Sequence, residues 1–207
     1  MACSNLGIKI TYRGKPMSHI SAHDTGWLTV LFEPSKEKVS LPHSLQVEVT
    51  KSKDGRDFFT ILEGIYKGKK ASVKAGNLGN VSITTGPAKL IFDIGKSTLT
   101  YAGSSTAKAI TSEVNPIGKG THKIQLPDFP HGEYGRPYLG QSAYALSWFY
   151  MGLGHAIPGK NDRYLHTGAV SNGCVTVEPA DWTKIYKYLI QSRQGDQTNV
   201  GIIKVIK

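Results

Sequence analysis

The chain has 207 residues and a mass of 22.5 kDa, room for one full domain or one domain with a small appended module. Apolar residues make up 39% and charged residues 19%, which excludes global disorder, and no run nears the ~18 apolar residues of a membrane span, so no membrane insertion is expected. A net charge of +10 favours an anionic partner such as nucleic acid, anionic lipid or an anionic cell-wall polymer without choosing among them, and the absence of a run of five basic residues argues against a basic tail and against a dedicated nucleic-acid groove.

The opening MACSNLGIKITYRGKP lacks a basic region followed by 7–15 apolar residues, so the chain is expected to be made in the cytoplasm without a secretory signal. Cys3 lies in that terminus, which leaves Cys174 as a free thiol. The 23 Gly and 10 Pro predict many turns and short strands. Gly26 to Phe32 and Ser44 to Thr50 read as strands. Lys53-Asp54-Gly55-Arg56 is a hairpin turn, with Phe58 to Ile65 as the return strand. Ala71 to Ile83 is rich in Gly and Ser, with one weak strand at Val81 to Thr84. Gly86-Pro87 is a break, giving a division into an N-terminal β module, 1–86, and a second domain, 87–207.

Lys89 to Ile94 and Ser97 to Ala102 read as two strands joined at Gly95-Lys96. A turn at Asn115-Pro116-Ile117-Gly118 precedes a strand at Gly120 to Gln125. Leu126 to Gly140 is a long loop holding His131, and Ala143 to Met151 reads as a buried strand. Gly152 to Asp162 is loop, followed by a short strand at Arg163 to His166. One helix is predicted over Pro179 to Arg193, since Trp182, Ile185, Tyr186, Leu189 and Ile190 recur on one face. Pro179 suits its first position, and Asp181 meets the positive end of its dipole. Val200 to Ile206 is a closing strand. The fold class is therefore mostly β (β-rich α+β) with one main helix.

The segment Tyr164 to Val177 holds the candidate chemistry. His166 lies eight residues before Cys174, with Gly168 and Gly173 bending the chain. A thiol of pKa ~8.5 is mostly protonated at neutral pH, and a neighbouring imidazole can take its proton. The N–H groups of Gly173 and Cys174 are candidate oxyanion donors, and Thr167 and Ser171 are candidates to orient His166. Taken singly, each residue has a plainer reading: a small buried cysteine, a hydrogen-bonded histidine, two turn glycines. Trp148, Phe149 and Tyr150 read as core, and one usable Cys with no His pair at ligand spacing falls short of a zinc set.

Ser171-x-Gly173-Cys174, with the upstream His166-x-Gly168 and the following strand and helix, resembles the catalytic motif of L,D-transpeptidases (YkuD-type). Lys89 to Ile94 with the next strand resembles that family's opening hairpin, and Asn115-Pro116-Ile117-Gly118-Lys119-Gly120 its Thr-Pro-x-Gly turn. Val200 to Val205 resembles its closing strand, so the resemblance covers about residues 88–207. It implies a β-sandwich or barrel catalytic domain, no cofactor and no metal. It also implies peptidoglycan stem peptides as substrate, with Cys174 as nucleophile and His166 as base. Gly173 and Cys174 would then form the oxyanion hole, with Ser171 and Thr167 in support.

Three departures bear on the substrate. The gap from His166 to Cys174 is short, Asn172 stands where many members have His, and Thr176 stands where many have Arg or Asn. A substrate carboxylate would then fall to Arg163 or Arg136. His155, nineteen residues before Cys174, is the rival base, and His131 is a further candidate on the cleft. Cell-wall chemistry without a signal peptide suggests an antibacterial effector reaching the periplasm by a route other than Sec, with an immunity protein as partner. Two alternatives stand beside the transferase: a carboxypeptidase or endopeptidase in which water resolves the thioester, and a non-enzymatic basic protein that binds an anionic polymer.

Overall fold

A computed structural model describes residues 17–21, 24–84, 86–152 and 162–207. The fold is mostly β, in two sheets. Its strands in chain order are β1 (Met17–Ile20), β2 (Trp27–Phe32), β3 (Lys38–Pro42), β4 (Gln46–Lys53), β5 (Arg56–Ile61), β6 (Lys70–Lys74), β7 (Leu78–Gly79) and β8 (Ala88–Asp93). They continue with β9 (Thr98–Tyr101), β10 (Ser105–Ile110), β11 (Gly120–Gln125), β12 (Phe149–Tyr150), β13 (Tyr164–Thr167), β14 (Val175–Val177) and β15 (Asn199–Ile206). The helices are α1 (Gly132–Gly135) and α2 (Pro179–Ile190).

The first sheet runs β3-β2-β6-β5-β4-β1-β7 and the second β11-β15-β8-β9-β10-β14-β13-β12. Asp54 and Gly55 both take positive φ, as a tight hairpin turn between β4 and β5 requires. In β8 the alternation is visible directly: Ala88, Leu90 and Phe92 are buried, while Lys89 and Ile91 face water. One hydrophobic cluster runs through both sheets, from Ile20 and Val47 to Leu165 and Val205. The apolar face predicted for the helix is fully buried, and α2 packs against β13 and β15. No described helix is long and apolar enough to cross a membrane.

Several elements differ from the sequence reading. The helix stops at Ile190 rather than Arg193, because the Arg193 guanidinium turns back onto the Ile190 and Ser192 carbonyls. The segment 143–148 is a chain of turns rather than a strand: Ser147 N–H bonds the Tyr144 carbonyl and Ala145 N–H that of Ser142. Only Phe149–Tyr150 pairs, with β13. The weak strand expected at 81–84 is a single bridge from Thr84 to Ser192. Strands β6 and β10 lie in Lys-, Ser- and Thr-rich stretches whose apolar alternation is too sparse to read.

Candidate functional site

The site stands on two neighbouring parallel strands. His166 pairs with Thr176 in register, and Leu165 with Val175. Strand alternation sends Leu165, Val175 and Val177 into the core. Tyr164, His166, Cys174 and Thr176 take the opposite face. There, a cleft of about 420 Å³ is lined by Cys174, His166, Trp148, Tyr138, Arg163 and Asn172 among others. The fold thus brings His166 and Cys174 to one cleft, diagonal to each other across the strand pair.

The turn before β14 presents the thiol. Ser171 Oγ donates to the Cys174 carbonyl at 2.8 Å and accepts the Gly173 N–H at 3.3 Å. The Gly173 donor is therefore turned onto Ser171 here, away from the role of oxyanion donor. Gly173 has φ +112°, and a Cβ on it would lie 2.6 Å from the Asn115 carbonyl oxygen and 2.7 Å from the Arg163 guanidinium carbon. Both the backbone and the space demand glycine. Gly173→Ala is accordingly expected to cost at least about 1–3 kcal/mol from backbone strain alone. Urea unfolding reads that loss, and a faster iodoacetamide reaction would show Cys174 displaced.

His166 is buried and held at both nitrogens. Nδ1 lies 2.8 Å from the Thr167 carbonyl, an acceptor only, so it carries the proton. Nε2 is then the lone-pair nitrogen, 3.2 Å from the Thr176 hydroxyl that donates to it. Thr167 thus orients His166 through its carbonyl, while its own hydroxyl donates to the Val177 carbonyl. Burial lowers the His166 pKa to about 4, partly opposed by the Thr167 carbonyl. Burial also raises the Cys174 thiol, against the Tyr164 N–H that donates to Sγ at 3.4 Å and the charge of Arg163. At neutral pH both the thiol and the imidazole are uncharged in this state.

The depressed histidine has a consequence for stability. The unfolded chain takes up a proton at this residue below its ordinary value of 6.5, while the folded chain resists until about 4. Stability from this group is therefore complete above pH 6.5 and falls as pH drops toward 4, by on the order of 3 kcal/mol. Urea unfolding at pH 7 and pH 4.5 should show a steeper acid loss in the wild type than in His166→Gln. Equal losses would contradict the assignment.

Arg163 is buried in the cleft, with Nη2 donating to Asn115 Oδ1 at 3.0 Å, and is adjacent to Asp162. Asn172 lines the same cleft from an exposed position. Arg136 is exposed, lies against Gly132, and is absent from the cleft lining. His131 is absent from the cleft lining and lies behind Trp148, with Phe129 and Trp148 stacked on its two faces. His155 and Cys3 lie outside the described residues.

Sequence reasoning missed Trp148, Tyr164 and Tyr138. Trp148 is outside the main hydrophobic cluster and stacks on His166. Tyr138 takes the Ala169 N–H on its hydroxyl at 3.0 Å. The available signal was the run of aromatic residues at 148–150, but reading it as a buried strand hid the one that faces the cleft.

No family model matches this chain. No curated protein matches it either. Among solved structures, the crystal structure of Mycobacterium tuberculosis L,D-transpeptidase 1 is similar at 16% identity and a TM-score of 0.35, over 92% of this chain and 87% of that one. A likeness of that degree assigns no activity to this chain.

Proposed function

We propose that this chain is a cysteine acyltransferase acting on peptidoglycan stem peptides. The observation that supports it is the convergence of Cys174 and His166 on one cleft, from adjacent parallel strands, in a Ser171-x-Gly173-Cys174 turn. In this reading the thiol proton passes to His166 Nε2 as Sγ bonds the substrate carbonyl carbon. The scissile C–N bond then breaks, and the departing amine takes the proton. An amine or water cleaves the thioester, giving exchange or trimming.

For Nε2 to accept the thiol proton, the Thr176 hydroxyl must swing off it. The Val170 carbonyl, 3.5 Å from the same oxygen, is the alternative acceptor. Arg163 is the candidate for a substrate carboxylate, since it is the guanidinium in the cleft. The test is intact-protein mass spectrometry after incubation with tetrapeptide muropeptides, with soluble products read in parallel. A thioester adduct on the wild type that Cys174→Ala lacks supports the reading. No adduct and no product change would refute it.

A further inference from the structure

Trp148 stands between two imidazoles. Its indole stacks on His166 with centroids 4.0 Å apart and planes at 18°, and on His131 at 4.4 Å and 5°. Phe129 covers the far face of His131 at 4.5 Å. Asp128 faces the edge of His131, with Oδ1 at 3.1 Å from Nε2, and accepts the Tyr164 hydroxyl on Oδ2 at 3.2 Å. Tyr164 is two residues before His166 on the same face of β13, and its N–H reaches Cys174 Sγ. The chain of contacts therefore starts at the thiol and returns to the imidazole.

The two hydrogen bonds of His166 act at its ring nitrogens. With the ring also tethered at Cβ, they resist least a rocking out of the ring plane, and a contact on the ring face opposes that motion directly. Trp148 supplies the face. Its own Nε1–H is satisfied by the Ala145 carbonyl at 3.2 Å, which leaves the indole plane to be set by what stacks behind it. We propose that Trp148 is a positioning residue for His166, with Asp128 and His131 as the clamp that fixes the indole from behind. The proposal rests on the reading of His166 as the base.

The titratable and charged groups around His166 are Tyr164 on its own strand, Cys174 in the turn before β14, Tyr138 beyond Gly168, Tyr134 beside the indole, and His131 with Asp128 across it. Asp162 and Arg163 share the cleft. All of them remain in a Trp148 variant, so a change in His166 titration there reports the lost face.

The test uses the full chain, with histidine NMR titration and the rate of acyl-enzyme formation on muropeptides. Trp148→Leu removes the flat face, Trp148→Phe keeps one, and His131→Gln removes the ring behind. Trp148→Leu is expected to raise the His166 midpoint by about one unit or more as water reaches the ring. It should slow acylation by about tenfold or more, and Trp148→Phe should restore most of that rate. His131→Gln should shift the midpoint in the same direction by less. An unchanged midpoint in both Trp148→Leu and His131→Gln would overturn the proposal. If Trp148→Leu fails to fold, the His131→Gln midpoint decides alone. If the wild type itself forms no acyl-enzyme, the acyltransferase reading fails, and the titration still decides whether Trp148 positions His166.

Discussion

Cys174→Ala is expected to abolish acyl-enzyme formation while leaving the fold intact. The substitution removes one sulfur from a half-buried site where, among the described residues, the Tyr164 N–H donates to the thiol. The turn around it is held by Ser171 through the Cys174 carbonyl, which alanine keeps. No other cysteine lies among the described residues to take over. His166→Gln is expected to slow acylation by about 10²- to 10⁴-fold, the usual weight of a general base. Glutamine is the better probe than alanine because it fills more of the space against Trp148. A Cys174→Ala protein that still converts muropeptides would point to chemistry elsewhere. Loss of conversion together with loss of the thermal transition would point to a structural role for the thiol.

Arg193→Met is expected to produce the largest stability loss, about 3–5 kcal/mol. Arg193 follows α2, and Glu63 follows β5 of the other sheet. The guanidinium meets both carboxylate oxygens, at 2.6 and 2.7 Å, and adds the carbonyls of Ser44, Ile190 and Ser192 at 2.8 Å. Both side chains are nearly out of water, at 12% and 4% exposure. Methionine would leave a buried carboxylate without its counter-charge and three carbonyls without that donor. Glu63→Gln should cost less, since an amide still accepts from Arg193 and from the Gln46 N–H. Urea unfolding measures both. A loss below about 1 kcal/mol for Arg193→Met would mean that the pair adds little to the tie between the sheets.

That tie qualifies the division at residue 86. The first sheet ends at Gly79 and the second begins at Ala88, so the Gly86-Pro87 break falls between them. Yet one core and one buried ion pair cross the break. We propose that the first sheet buttresses the second rather than acting as a detachable module. A single cooperative unfolding transition would support that reading, and two separate transitions would refute it.

The sequence by itself determined the elements whose signal is local. The helix at 179 was legible because its apolar residues recur at 3.6-residue spacing and proline marks its start. The hairpin at Asp54-Gly55 was legible because few dipeptides tolerate two positive φ values. The pairing of Cys174 with His166 could be suspected from a short motif, but eight intervening residues do not fix a direction in space. Only the tertiary structure decided that the two strands run parallel in a register that sets both residues over one cleft. It also decided that Trp148, buried but outside the main hydrophobic cluster, lines the cleft, because turns at 143–148 replace the strand that the apolar run suggested. The burial that keeps His166 and Cys174 neutral is likewise set by the many side chains packed around them, a property of position in the fold and not of neighbours in the chain.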